Sequence, residues 1–212
     1  DKENLSEISI LNLGDELEGI LRISQLMTLK YGLVDSTINF SYFLASWLNE
    51  LSKYIKINYY STAGNHTDLR LLSGKKGDFP HENMNKIIHT LVKQILIDNQ
   101  NIKIYENETD KIFLNVQGYN LLGLHGEEKD IQQAIRDYNF IYNEEIHYLC
   151  FGHKHHSHNE NLGFSKGSIG VGGILGIDDY SMQLKRISDP TSTFVIFEQG
   201  QGKAIEYNIK LD

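Results

Sequence analysis

This 212-residue chain has little that could cross-link it, anchor it in a membrane or attract it to a polyanion. A single cysteine, Cys150, excludes an internal disulfide and suits a reducing compartment, so a cytoplasmic location is expected. No apolar run approaches the roughly 20 residues of a membrane helix, and no charged-then-apolar leader opens the sequence. No membrane association is expected. Pro80 and Pro190 are the only prolines. With no repeat, low-complexity stretch or linker in view, the prior is a single domain over 1–212. Basic residues are outnumbered, 20 Lys and Arg against 28 Asp and Glu, for a net charge of -8. That balance counts against a simple nucleic-acid surface, because phosphate contacts come from clustered Lys and Arg. The chain opens on Asp1 rather than Met, so it reads as a fragment, a processed product or a trimmed form.

What is present is ordinary globular material, 40% hydrophobic and 23% charged, with 12 tyrosines. Glu7 to Leu13 reads as a buried strand stopping at a polar loop, and Leu17 to Lys30 as a helix. Asp35 or Ser36 is expected to cap a stronger helix, in which Phe40, Phe43, Leu44, Trp47, Leu48 and Leu51 recur at helical spacing. Ile55 to Thr62 is the next strand. Glu82 to Ile97 is an amphipathic helix carrying Ile87, Ile88, Leu91, Ile95 and Leu96. Strands follow at Ile102 to Tyr105, Ile112 to Val116 and Tyr119 to Leu124, then a helix at Lys129 to Tyr138 and a strand at His147 to Phe151. A polar loop from His155 to Asn161 precedes further strands, clearest at Phe194 to Glu198 and Ala204 to Ile209. The alternation predicts an α/β chain with mixed sheets.

Four segments carry chemistry: Gly14-Asp15-Glu16-Leu17-Glu18, Gly64-Asn65-His66, Leu124-His125-Gly126 and Gly152-His153-Lys154-His155. Each sets an Asp, Asn or His just past a strand, which is how a fold gathers ligands from distant sequence at a sheet edge. Asp15, Asn65, His125, His153 and His155 suit Mn, Fe or Zn rather than a thiolate site. In extended backbone the i and i+2 side chains of His153 and His155 point the same way. Two metals about 3.5–4 Å apart can activate a bound water and clamp a phosphoryl group. They would also bring about four positive charges into this acidic chain.

In order and spacing these segments resemble the Gly-Asp, Gly-Asn-His, His and Gly-His-x-His blocks of the calcineurin-like metallophosphoesterase superfamily, over about residues 8 to 156. The resemblance implies a four-layer α/β/β/α sandwich of two mixed sheets flanked by helices, with the site at the strand ends. It implies that Asp15 bridges two divalent metals, with Mn favoured and Fe, Zn or Mg as alternatives. Asn65, His125 and His153 would complete one metal site, and His155 would bind the other ion. His66 would face the phosphate, with Asp15 and His66 as the catalytic pair and a metal-bridging hydroxide as nucleophile. Gly176-Ile177-Asp178-Asp179-Tyr180-Ser181 looks most like phage- or prophage-encoded members.

The pattern departs from the family at its start. No Asp-x-His block occurs, and Glu145-Ile146-His147 is only a superficial stand-in. The first strand is therefore expected to be missing from a domain incomplete at its N-terminus, and the second metal site to be short of ligands. The strand from Ile8 would then lie at an exposed sheet edge, which a partner chain, including a second copy, can cover. Thr67 stands where the family has an acidic residue.

Several residues have blander readings. His156 and His158 read as solvated loop residues, and His81, His89 and His147 as structural or surface histidines. Trp47 reads as core. Arg70 and Lys75-Lys76 follow the Asn-His block as substrate contacts or, more simply, a solvated loop. Gly170-Val171-Gly172-Gly173 reads as flexible strand ends. Glu16 and Glu18 either tune the site or begin a helix. Three functions follow: a phosphodiesterase or nuclease acting on DNA, an esterase for a small nucleotide-like substrate, and a non-catalytic metal-binding module.

Overall fold

The computed structural model describes residues 5–19, 27, 29–70, 74–75, 77–106, 110–176, 182 and 188–211. The chain forms two compact units, 1–110 and 111–212. As expected, the class is α/β, with helices and several sheets.

In the first unit, strands β1 (Glu7–Asn12), β2 (Lys56–Ser61) and β3 (Ile102–Ile104) alternate with helices α1 (Leu33–Leu51) and α2 (Met84–Ile95). Each connection runs through a helix, the crossover that parallel pairing requires, and the sheet β1-β2-β3 is wholly parallel rather than mixed. Ile8 sits opposite Ile57 and Ile10 opposite Tyr59. Leu44, Ala45 and Leu48 from α1, with Met84, Ile88 and Val92 from α2, close over Ile57 and Tyr59. β1 is half-buried at the sheet edge, not a fully buried strand.

Both helices bury part of the expected stripe, Leu44, Leu48, Ile88 and Leu96, with Phe40 and Leu51 packed against it, but each is rotated away from the rest. α1 begins after Gly32 without a side-chain cap, leaving Asp35 and Ser36 inside its first turn. Its buried stripe includes Thr37 and Ser41, whose hydroxyls donate to Leu33 O and Thr37 O at 2.7 Å. Satisfying those hydroxyls on the helix itself lets them line the core, and Phe43 and Trp47 are left 62% and 46% exposed. Trp47 is therefore not core. In α2 the buried series is Met84, Ile88, Val92 and the capping Leu96, with Ile87 and Ile95 exposed. Asn83 caps this helix, its side chain accepting from Asn85 N at 2.9 Å. The helix expected from Leu17 does not start there: Leu17 to Gly19 are non-helical, and 20–26 and 28 lie outside the described residues.

The second unit comprises β4 (Ile112–Val116), β5 (Tyr119–Leu124), α3 (Ile131–Tyr142), β6 (Tyr148–Phe151), β7 (His158–Gly163), β8 (Lys166–Gly170), β9 (Thr191–Glu198) and β10 (Gly202–Lys210). The mixed sheet runs β4-β5-β6-β8-β7. β5, β6 and β8 are parallel, and β4 and β7 are antiparallel additions at the edges. β4 and β5 join through Gln117 (φ 53°) and Gly118 (φ 90°), the two left-handed positions that match hairpin twist. Leu122, Leu149 and Phe151 pack against Ala134 and Ile135 of α3. β9 and β10 form a separate antiparallel pair. Phe197 of β9 packs its ring 5.1 Å from that of Tyr148.

β7 starts inside the expected loop His155–Asn161, because its polar residues pair with β8 along an edge that needs no apolar face. The run Gly170 to Gly173 is pinned rather than flexible: Val171 N donates to Phe151 O at 2.8 Å, and Thr191 N to Gly173 O at 3.0 Å. In the Gly176 to Ser181 motif, 177–181 lie outside the described residues, as does Lys76. No helix among the described residues is long and apolar enough to cross a membrane. Cys150 is buried on β6, and burial pushes its thiol up to about 12, so it is inert.

Candidate functional site

The first unit brings Asp15 and His66 together through backbone. β1 ends at Asn12, whose side chain accepts from Gly14 N at 3.1 Å and turns the chain. Asp15 then takes a left-handed conformation (φ 58°), which Asp tolerates. Its Oδ1 accepts the amide of His66 at 2.9 Å, binding the loop after β1 to the loop after β2. Gly64 makes that approach possible, since a Cβ there would stand 2.2 Å from both Asp15 N and Oδ1. Gly19 does the same on the other flank, where a Cβ would come within 1.6 Å of His66 O. Asn65 lies half-buried between Gly64 and His66.

His66 has a fixed tautomer. Its Nδ1 lies 2.6 Å from Glu18 O, and because a carbonyl only accepts, Nδ1 carries the proton and Nε2 is left for chemistry. Glu18 thus contributes its main chain, while Glu16 takes hydrogen bonds from Asn12 at 3.3 Å and Asn85 at 2.5 Å. Thr67 is fully buried and donates to Gly64 O at 3.1 Å, so the residue that departs from the family pattern supports the loop. Arg70 Nε lies 3.6 Å from Asp68 Oδ2.

The second unit brings His125 and His153 together. They follow the adjacent parallel strands β5 and β6, and Gly152 N donates to His125 O at 3.0 Å. His125 Nε2 and His153 Nδ1 face each other at 3.0 Å. Metal–imidazole bonds of about 2.0–2.1 Å put two adjacent ligand nitrogens roughly 3 Å apart. The separation and the donor type therefore fit a borderline divalent cation. His153 (φ 60°) and His155 (φ 61°) are both left-handed. Lys154 N donates to Gly152 O at 2.6 Å, making His153 the centre of a γ-turn of the strained, positive-φ kind. Such strain costs about 1–3 kcal/mol per residue and persists where surrounding contacts enforce it. Extended i, i+2 geometry is therefore not what orients His153 and His155. Ser188 Oγ donates to His155 O.

Three residues that sequence reasoning passed over surround this turn. Lys154 Nζ donates to Glu128 O at 2.9 Å, and Tyr138 OH donates to Glu128 Oε1 at 2.8 Å. Burial first, then that carboxylate, raise the Tyr138 phenol above its ordinary value and keep it a donor. No sequence signal marks a lysine whose partner is a main-chain oxygen. His81, His89, His147 and His156 behave as expected, whereas His158 opens strand β7 rather than lying in a loop. His147 Nδ1 accepts from Asn120 N at 3.1 Å, His89 Nδ1 lies 3.2 Å from Ser61 Oγ, and His81, His156 and His158 are exposed.

No family model matches the chain. The SPbeta prophage-derived uncharacterized protein YonJ of Bacillus subtilis (strain 168) is 33% identical over 218 residues, covering 100% of this chain and 54% of its own length. The chain thus spans about half of that relative. Among solved structures, a single mutant of Vps29 from Entamoeba histolytica is 13% identical at a TM-score of 0.43, covering 96% of this chain and 99% of its own. A predicted phosphoesterase from Streptococcus pneumoniae is 10% identical at a TM-score of 0.38, covering 96% and 97%. Zinc-bound wild-type Vps29 from Entamoeba histolytica is 13% identical at a TM-score of 0.38, covering 79% and 88%. These likenesses are too distant to carry an argument about the site.

Proposed function

We propose that this chain belongs to a metal-dependent phosphoesterase of the calcineurin-like type, acting on phosphodiesters in the cytoplasm. The observation that carries the reading is the facing pair of His125 Nε2 and His153 Nδ1, 3.0 Å apart at the ends of parallel strands. Asp15, Asn65, His125 and His153 are the proposed ligands of one divalent ion, Mn by preference, with Asp15 and His155 serving a second. Bound metal would supply Lewis acidity and an activated water. The chain's own contribution is positional. His66, with Nδ1 committed to Glu18 O, offers Nε2 to the phosphoryl or leaving-group oxygen. Arg70 is a proposed substrate contact through the guanidinium nitrogens other than Nε. The prophage-derived relative supports a phage-type enzyme.

DNA is the first reading; the net charge of -8 counts against a polymer and keeps a small nucleotide-like phosphodiester as the second. The test is Mn²⁺-dependent hydrolysis of bis(p-nitrophenyl) phosphate, with a chelator control. His66→Ala should lower turnover about 100-fold or more with metal binding retained, as loss of a general acid or charge stabiliser does. Asp15→Asn should weaken metal binding itself. A folded chain that binds metal but hydrolyses nothing would favour the metal-binding module instead. Steep inhibition of DNA cleavage by salt, with none for the small substrate, would assign the polymer.

A further inference from the structure

We propose that Lys154 is a positioning residue, clamping the left-handed turn that carries His153 onto the connector that carries His125, and so setting the separation of the two imidazoles. The inference rests on reading those two histidines as metal ligands, but its geometry is independent of any metal.

Beside the contact of Ser188 Oγ to His155 O, a backbone tie holds the turn at its root, from Gly152 N to His125 O at 3.0 Å. That bond fixes where the two strands end and says nothing of how the next residues lie. His153 and His155, at φ 60° and 61°, sit in a conformation that β-carbon-bearing residues leave unless held. The Lys154 side chain crosses from this turn to the connector between β5 and α3 and donates to Glu128 O at 2.9 Å. Glu128 is itself held from the far side, where Tyr138 of α3 donates to its carboxylate at 2.8 Å. The connector therefore cannot simply follow the lysine. Helix α3, Glu128, Lys154 and the histidine turn form one series of contacts, with His125 three residues before Glu128 and His153 beside Lys154. The ammonium is committed to Glu128 O. It bonds to a main-chain oxygen, the kind of contact that orients a ligand without competing for the metal.

The test compares the full chain with Lys154→Met, which keeps the aliphatic stem and loses the donor, and Lys154→Arg, which restores a donor. Two measurements are made: Co²⁺ affinity from visible absorption, and the imidazole ¹⁵N resonances of the metal-free protein. Lys154→Met should weaken Co²⁺ binding about tenfold, the lower end of what losing support around a metal ligand costs, because the turn that carries His153 loses its tether. It should also move the His125 and His153 resonances while the melting temperature holds, and Lys154→Arg should recover most of the affinity. Wild-type affinity and unmoved resonances in Lys154→Met would overturn the proposal. So would a loss of affinity that follows a falling melting temperature and is not rescued by arginine. If the parent chain binds no Co²⁺, the metal-site reading fails, and the imidazole resonances alone decide whether the clamp exists.

Discussion

The two units solve one problem, holding polar residues past the ends of parallel strands, by different means. In the first, main chain and glycine do it: Gly64 and Gly19 let backbones approach, and Asp15 grips the amide of His66. In the second, side chains do it: Lys154, Glu128 and Tyr138 brace a strained turn. A backbone solution tolerates almost no added atom, whereas a tether can be cut with the fold intact. Stability and site geometry should accordingly be inseparable in the first unit and separable in the second.

The strongest way to break that contrast is Gly64→Ala. The new Cβ meets the Asp15 backbone at 2.2 Å, a contact no rotamer relieves, so a loss of about 3 kcal/mol or more in urea unfolding is expected. A wild-type urea midpoint would sink the claim that backbone approach holds this loop. The caps sharpen the comparison by predicting equality where the units use the same device. Asn83 and Asp130 accept from Asn85 N and Gln133 N, both at 2.9 Å, so Asn83→Ala and Asp130→Ala should each lose about 1 kcal/mol. Markedly unequal losses would mean that something other than the cap fixes one helix start.

The smallest effect concerns pH. Burial lowers the pKa of His89 from its ordinary 6.5, with Glu106 opposing and Lys93 assisting. Below about 6.5 the unfolded chain takes up a proton that folded His89 resists, so stability falls as pH drops toward the folded pKa and levels off beneath it. The urea midpoint of the parent chain should decline between about pH 7.5 and about pH 5.5 more steeply than that of His89→Gln. Parallel declines would show that His89 is not a proton-linked group.

The contrast also decides what could be read in advance. Ile112–Val116 and Tyr119–Leu124 stand where their apolar runs placed them, because a hairpin closed by a two-residue turn is a local decision. Gly64 was visible as part of a motif, although its reason, the pressure of Asp15, is a tertiary fact. Trp47 was misread because aromatic spacing does not reveal that Thr37 and Ser41 satisfy their hydroxyls within α1 and take the inward face. β7 was invisible because an edge strand needs no apolar alternation. Lys154 looked like the spacer of a histidine motif, since a bond to a carbonyl leaves no partner in the sequence to co-occur with it.

The turn at Gln117 and Gly118 also governs time. β4 and β5 meet across two residues, and β7 and β8 across Phe164 and Ser165, so each pair can close within microseconds of collapse. β1 and β2 find one another only after the long segment bearing α1 has been looped out, and β2 and β3 only after the segment bearing α2. Local pairing runs ahead of distant pairing when stability is comparable. In a whole chain refolding from denaturant, Ile8 and Ile10 of β1 therefore stay open to aggregation while the hairpins are already closed.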